Sequence, residues 1–439
     1  MSSASELSPP IPSVAPLTKA IRPLSLRENF AWTLPANLAY AACQWGILVV
    51  LAQVGSSGLV GFYVLGLSIT APIFVCASLQ LRAIQATDTH SEFGFGDYLG
   101  LRLMATAVAL VLSGGISWAL GHRDAVWWAV MLLALAKSFE SISDVIYGLL
   151  QQRERMDRVA RSKALHGPAL LAGVGGGVML TGDIVGAAAG LVAARVLVLV
   201  ACDVPSVAWI SGVRAREALR PRCRPSMLRG LVALGLPLAG VSLLISLETN
   251  IPRYFVTHQL GVTSLGLFGA IAALITFGGM FTRAMNQVAS PRLATLFHAG
   301  DFFGFRRLLG GILASYLVLG LLGLAMVPLI GRWLLGTMFG AEFSPHVDLL
   351  LVVMLAAAVA YLSGALTSAM IAIRAIGSQL PLRLVTVATS LIGCLILMPR
   401  FGLLGAGMAL VVAKVPFVIA SLVIVLRATR TGSQLPEGG

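Results

Sequence analysis

Long apolar runs separated by short polar stretches recur along the whole chain, near 31–53, 59–81, 100–120, 126–150, 164–182, 184–210, 230–258, 263–289, 308–330, 347–373, 382–399 and 403–426. A helix needs about 20 apolar residues to cross roughly 30 Å of hydrocarbon. The pattern therefore predicts twelve transmembrane helices, with both chain ends on one side. The fourth run ends in "KSFESISDVIYGLLQ", from Lys137 to Gln151, which puts three ionisable groups into an apolar segment. At about 100° per residue, with Lys137 as zero, Glu140 falls near −60°, Asp144 near −20°, Tyr147 near −80°, Gly148 near +20° and Gln151 near −40°. One stripe gathers them all. A charge at mid-bilayer costs at least about 2.5–3.5 kcal/mol, so the stripe must face protein, water or a partner. Two readings stand: Lys137 pairs with Glu140 and Asp144 and the stripe joins helices, or the same groups line a hydrated cavity that binds a polar cargo.

Composition sharpens the class. Of the 439 residues 57% are hydrophobic and 11% charged, about half the charged share of a soluble globular protein, which identifies an integral membrane protein. Cys43, Cys76, Cys202, Cys223 and Cys394 have no metal-ligand spacing and imply neither a metal site nor a disulfide framework. The Pro/Ser-rich residues 1–29 have no short apolar core before a small-residue cleavage site, and so predict a cytoplasmic tail rather than a signal peptide. The net charge of +13 is distributed by side: 24 of the 31 Lys and Arg fall on the tails and even-to-odd loops, three (Arg123, Arg332, Arg400) on the opposite face. That asymmetry places both termini in the cytoplasm. The basic loops suit anionic lipid headgroups; dispersed and without aromatic interleaving, they do not suit nucleic acid.

The two halves resemble each other at an offset of 206 residues, "QVGSSGLVGFYVLGLSI" from Gln53 against "QLGVTSLGLFGAIAALI" from Gln259, with Gln80 opposite Asn286. Chance alignment of Gly/Leu-rich helices is one account. The simpler one is a parallel repeat: a tail (1–29), an N-lobe of six spans (30–211), a basic cytoplasmic linker (212–229), a C-lobe of six spans (230–426) and a C-terminal cytoplasmic tail (427–439). External loops are short, and no phosphate loop, HExxH or serine nucleophile elbow occurs, which counts against a membrane enzyme.

Further polar residues lie within the runs. The seventh has "SLETNIPRYF", where Glu248, Asn250 and Arg253 flank Pro252, whose ring interrupts helix hydrogen bonding. Arg195 and Asp203 on the sixth are eight residues apart, about 80° around a helix, and are candidates to pair across two turns. Asn37, Tyr40 and Gln44 form a milder stripe on the first, equally compatible with helix packing. Lys414 in the twelfth run precedes Pro416. Lys137, Arg253 and Arg195 together suit an anionic headgroup through charge-assisted hydrogen bonds. Glu140, Asp144, Glu248 and Asp203 are then left to tune the charge or to exchange a proton or cation.

Several stretches resemble the Wzx-type polysaccharide flippases of the multidrug/oligosaccharidyl-lipid/polysaccharide (MOP) exporter superfamily: "NLAYAACQWGILVVLAQVGSSGLVGFYVLGLSITAP" followed by "LQLRAIQATD", "ESISDVIYGLLQQRERMDRVARS", and "NIPRYFVTHQLGVTSLGLFGAI" leading to "ASPRLATLF". The resemblance implies an all-α membrane transporter, not an enzyme, whose two lobes form a V around a central, often cationic cavity. It implies no cofactor beyond a coupling ion, H+ or Na+. The implied cargo is an undecaprenyl-diphosphate-linked oligosaccharide carried from the cytoplasmic to the periplasmic leaflet of a bacterial inner membrane. Membrane lipids, a polysaccharide polymerase and a chain-length regulator are the implied partners. By position the family elements fall on Gln80, Arg82 and Asp88; on Glu140, Asp144, Tyr147, Gly148 and Gln151; and on Asn250, Pro252 and Arg253. The expected substrate-binding residues are Lys137, Arg253, Asn250, Arg82, Gln80, Asn37, Gln44, Tyr147 and Arg195. Alternatives are a drug/cation antiporter of the same superfamily, for which an acidic cavity is expected, and a non-transporting enzyme or scaffold of envelope assembly.

Overall fold

A computed structural model describes residues 24–88, 92–375 and 377–431. Most of the two tails, including Lys19 and Arg22, lies outside the described residues. Among those described there is no strand, as uninterrupted apolar sequence in a lipid-facing chain requires: a helix satisfies every backbone donor and acceptor within itself. The elements are α1 (Leu26–Val50), extended by a π-helical turn at Leu51–Gly55, then α2 (Ser57–Ala77), α3 (Leu81–Thr87), α4 (Phe95–Ala119), α5 (Ala125–Gln152) and α6 (Met156–Thr181). After them come α7 (Ile184–Val198), a second π-helical turn at Leu199–Asp203, α8 (Val204–Ser211), α9 (Ala215–Ala218), α10 (Pro225–His298), α11 (Phe302–Phe339), α12 (Val347–Ala372) and α13 (Gln379–Thr431). Ser25 opens α1 as a capping box, its hydroxyl accepting from the Glu28 N–H at 3.3 Å while the Glu28 carboxylate accepts from the Ser25 N–H at 2.8 Å.

Among the described residues, nine helical stretches are long and apolar enough to cross a membrane. Two of them are divided by non-helical backbone, α10 at Gly261 (φ 84°, ψ 175°) and α13 at Gly402 (φ 55°, ψ −128°). The charged α5 is not among the nine; its 28 residues reach about 42 Å at ~1.5 Å per residue. With the halves of α10 and α13 taken separately and α5 added, every apolar run read from the sequence lies in a helix. The expected interruption at Pro252 is not where α10 breaks: Pro252 sits inside the helix, and the chain leaves helical geometry at Gly261, where positive φ carries no Cβ penalty. Gly261 lies 206 residues after Gly55, the end of the π-helical turn between α1 and α2. The same register of the repeat therefore separates the first two helices of each lobe.

The lobes meet through α2 and both halves of α10. A Cβ on Gly61 would lie 2.0 Å from the Val262 carbonyl oxygen, and one on Gly266 would lie 1.8 Å from the Ser57 carbonyl oxygen. The contact is reciprocal: Ser57 to Val262 and Gly61 to Gly266 are equal steps along the chain, one residue short of the repeat offset. A pseudo-two-fold axis thus passes between α2 and the second half of α10, as a parallel repeat demands. The same end is tied by Gln53 Nε2, which donates to the carbonyls of Thr337 (2.8 Å) and Met338 (3.2 Å), and by Ser57 Oγ, which donates to Glu342 at 2.5 Å. Toward the linker end the first half of α10 runs beside α2 and α3, where Gln80 Nε2 donates to Ser242 Oγ at 2.9 Å and Gly235 lies against the Leu79 carbonyl. The linker crosses the end of α4, its Arg222 N–H donating to Gly96 O at 2.8 Å.

Replacing Gly266 by valine must push α2 and α10 apart. We expect a loss of at least about 1–3 kcal/mol, the usual cost of overpacking, read as a lowered unfolding midpoint in detergent; an unchanged midpoint would show that the lobes do not depend on this contact.

Candidate functional site: an interlobe cavity and the charges behind it

On the far side of the α2–α10 contact, α1 and the second half of α10 stand apart. The cavity between them has a volume of ≈ 620 Å³ and is walled by Asn37, Tyr40, Gln44 and Trp45 from α1, and by Thr276, Met280, Arg283 and Gln287 from α10. The mild polar stripe of α1 therefore faces this space.

Directly behind that wall the stripe of α5 meets basic residues from other helices. Lys137 Nζ lies 3.0 Å and Arg195 Nη2 3.2 Å from Glu140 Oε2. Arg195 also donates to the Tyr40 hydroxyl at 3.0 Å, which accepts a second bond from Gln44 Nε2 at 2.7 Å. One turn along, Asp144 is held by Arg102 Nη2 at 3.0 Å and Arg82 Nη1 at 3.4 Å. Arg82 further donates to Gln151 Oε1 at 3.3 Å through Nε and Nη2, and its guanidinium lies 5.5 Å from the Tyr147 ring centroid. Gly148 lets α3 lie on α5, because a Cβ there would come within 2.3 Å of the Gln85 side chain. Lys163 Nζ donates to Asn37 Oδ1 at 2.8 Å. Five cations thus surround two carboxylates, and Asn37 and Tyr40 connect them to the cavity.

Asp203 lies apart from this cluster. It does not pair with Arg195; the π-helical turn Leu199–Asp203 shifts the α-helical register on which that pairing was expected. Its carboxylate, in a residue 1% exposed, accepts from Ser143 Oγ and Ser162 Oγ, each at 2.5 Å. Ser162 Oγ lies 2.7 Å from the Tyr147 hydroxyl, which is 3.3 Å from Nδ1 of the buried His166.

The C-lobe has its own centre. Glu248, 2% exposed, is bound by Arg383 at 3.3 Å and by Lys414, while Arg383 donates to Thr367 Oγ1 at 3.3 Å and packs over Phe417. Asn250 Nδ2 donates to Ser246 O at 2.8 Å and Asn250 Oδ1 accepts from Arg253 at 3.1 Å, so these two form a local pair on α10. Gln80 belongs to the interlobe contact, and Asp88 organises a loop, accepting from the N–H groups of Glu92 and Phe93 and from the Tyr98 hydroxyl.

Arg102, Lys163 and Arg383, at the edges of apolar runs, are among the 24 cations counted on the tails and loops. The structure puts them inside α4, α6 and α13 as partners of Asp144, Asn37 and Glu248. Their apolar flanks, "LGLRLMA" and "QLPLRLV" for the two arginines, were the available signal. Arg283, a cavity wall residue, was also counted as a loop cation.

The family model described as polysaccharide biosynthesis protein matches residues 26–297, which takes in α1 through all but the last residue of α10, the charged groups around the cavity, and Glu248 of the C-lobe centre but not its partners Arg383 and Lys414. The chain belongs to the polysaccharide biosynthesis protein family. It is similar to the Staphylococcus aureus capsular polysaccharide biosynthesis protein CapF, with 26% identity over 88% of this chain and 96% of that protein. Among solved structures it is similar to a multidrug resistance MATE family transporter of the MOP superfamily, with a TM-score of 0.70 to the inward-facing form and 0.62 to the outward-facing form, at 12% and 13% identity. Each comparison covers 92% of this chain and 96% of the other. A MOP superfamily transporter from Pyrococcus furiosus, whose binding pocket is described as reversed in polarity, gives a TM-score of 0.61 at 12% identity over 92% of this chain and 96% of that one. The fold is the one these MOP superfamily transporters have, and the family is that of polysaccharide biosynthesis proteins.

In this polysaccharide biosynthesis protein Asp144 has a structural duty, since Arg102 is 2% exposed. Asp144→Ala should cost about 3 kcal/mol by stranding a buried guanidinium, and a second change, Arg102→Leu, should recover most of that loss. Urea unfolding of the single and double variants checks this; a double variant no more stable than the single one would rule it out.

Proposed function

We propose that this protein is a flippase that moves undecaprenyl-diphosphate-linked oligosaccharide repeat units of a surface polysaccharide from the cytoplasmic to the periplasmic leaflet. The observation that carries the reading is the surplus of cations beside the cavity. Arg82, Arg102, Lys137, Lys163 and Arg195 outnumber Glu140 and Asp144, and Arg283 faces them across the space. A diphosphate would add the missing negative charge and accept charge-assisted hydrogen bonds that arginine and lysine donate. Lys137 is the suited first contact: it is 30% exposed, and Glu140 keeps Arg195 when Lys137 turns to a phosphate. The hydroxyl and amides of Tyr40, Asn37, Gln44 and Gln287 would meet sugar hydroxyls. A drug/cation antiporter would call for the opposite sign.

In this reading the chain sits in a bacterial inner membrane with the basic loops and both termini in the cytoplasm. The lobes are joined at the Gly61/Gly266 end, so the cavity faces the cytoplasm, in keeping with the greater likeness to the inward-facing relative. Transport would follow from rocking of one lobe against the other, and the exported units would pass to a polysaccharide polymerase and its chain-length regulator. For ion coupling, Asp203 is the suited acid: Glu140, Asp144 and Glu248 are each held by two cations, whereas Asp203 is held by hydroxyls.

Purified protein in liposomes with a fluorescent lipid-linked oligosaccharide tests the reading. Wild type should expose the label to an external quencher, and Lys137→Ala should slow that at least about tenfold, the loss of one charged hydrogen bond, with insertion unchanged. No exposure by wild type would refute the function; full-rate exposure by the variant would remove Lys137 from it. Coupling is tested separately. Asp203→Asn should flip without acceleration by an imposed H+ or Na+ gradient, and retained acceleration would exclude Asp203 as the coupling site.

A further inference from the structure

A second cavity, ≈ 470 Å³, lies on the opposite face of the second half of α10 and shares Trp45 with the first. Its walls come from Leu274 and Gly278 of α10, from α11 between Leu319 and Met338, and from α12 between Leu350 and Tyr361. The volume is that of a ligand pocket, yet its lining is apolar. The Tyr361 hydroxyl already donates to Ile275 O at 3.0 Å. A hydrocarbon chain fits such chemistry. Met326 at the rim is 45% exposed, so the slot opens sideways to the surrounding lipid.

Glycines on α11 give the slot its width. Gly320 is needed for helix approach, since a Cβ there would sit 2.4 Å from the Ala358 Cβ. Gly323, on the same wall, is not: its nearest neighbour would be the Met354 sulfur at 3.6 Å, an ordinary contact. A helical glycine with room for a side chain forgoes about 1 kcal/mol of helix propensity without gaining close packing; what it keeps is width. Met326, Met338 and Met354 give that space flexible walls.

We propose that this slot seats the headgroup-proximal part of the isoprenoid chain of a lipid-linked substrate while its diphosphate and sugars occupy the α1–α10 cavity, the chain passing Trp45 between them. The proposal rests on the flippase reading above. It commits to the substrate's own chain because the slot adjoins the headgroup cavity and shares Trp45 with it; a phospholipid acyl chain is the competing occupant that the test separates.

The test compares undecaprenyl diphosphate with a ten-carbon prenyl diphosphate in binding to full-length protein in nanodiscs, alongside the flipping assay on the same preparations. Wild type should bind the long chain at least about tenfold more tightly than the short one. Gly323→Leu should bring that ratio to within about twofold by weakening the long chain alone, while Gly323→Ala behaves as wild type. A ratio left unchanged by Gly323→Leu overturns the slot, even where wild type flips; wild type that neither flips nor binds either diphosphate overturns the flippase reading itself. If Gly323→Leu does not fold, a benzophenone amino acid at Met326 replaces it. Crosslinking to the long-chain diphosphate supports the proposal, and crosslinking to phospholipid that excess undecaprenyl diphosphate does not displace refutes it.

Discussion

Two glycines set the frame of the molecule. Gly61 and Gly266 each let the backbone of the other lobe approach to a distance that any side chain would forbid, and each receives a carbonyl from the residue that opens the partner helix. In hydrocarbon there is no hydrophobic force to press helices together, so close backbone approach and interhelical hydrogen bonds must hold them. Gln53 and Ser57 supply those bonds at the same end. Everything else follows from the lobes being joined there and along α2: α1 and the second half of α10 are left facing each other across open space. Because the contact is reciprocal, rocking of the lobes about it would preserve its chemistry.

The second constraint is charge. Glu140, Asp144 and Glu248 have each been given partners from other helices, and the partners tie α3, α4 and α7 to α5 in the N-lobe and α12 and α13 to α10 in the C-lobe. The two centres differ in access. Glu248 and Arg383 are buried, so their charges are used up inside the C-lobe. Glu140 and Asp144 keep about a third of their surface exposed, so the N-lobe pairs can exchange partners with a ligand. The cationic surplus lies on that more accessible side, next to α1.

The apolar slot beside Trp45 fits the same division of labour. The proposed lipid-linked cargo has two ends with opposite solvation needs, and the protein has a polar cavity on one face of α10 and an apolar one on the other. Trp45, amphipathic in its own right, stands between them and packs edge-on to Phe339 at 6.0 Å.

The run of apolar segments determined the all-helical membrane fold, because uninterrupted apolar runs of about 20 residues pair every backbone group only as helices, whereas a closed barrel, the other way to span lipid, is built from short segments that alternate apolar and polar residues. The sequence also gathered Lys137, Glu140, Asp144 and Gln151 on one face, since helical periodicity is local. It located the repeat whose glycine separates the first two helices of each lobe. Which charges meet was not local, and only the packed structure decided it. Arg102, Lys163 and Arg383 read as loop cations because run boundaries are blurred by a few residues. Arg195 was matched to Asp203 on α-helical spacing that a π-helical turn then altered. Pro252 looked like the break, but helix neighbours accommodate a proline in lipid, while Gly261 had the positive φ that a reversal of direction needs. The shape of the cavity, and the slot behind it, depend on which helices fail to touch. No single helix encodes that: it follows from where small residues on two distant segments permit contact.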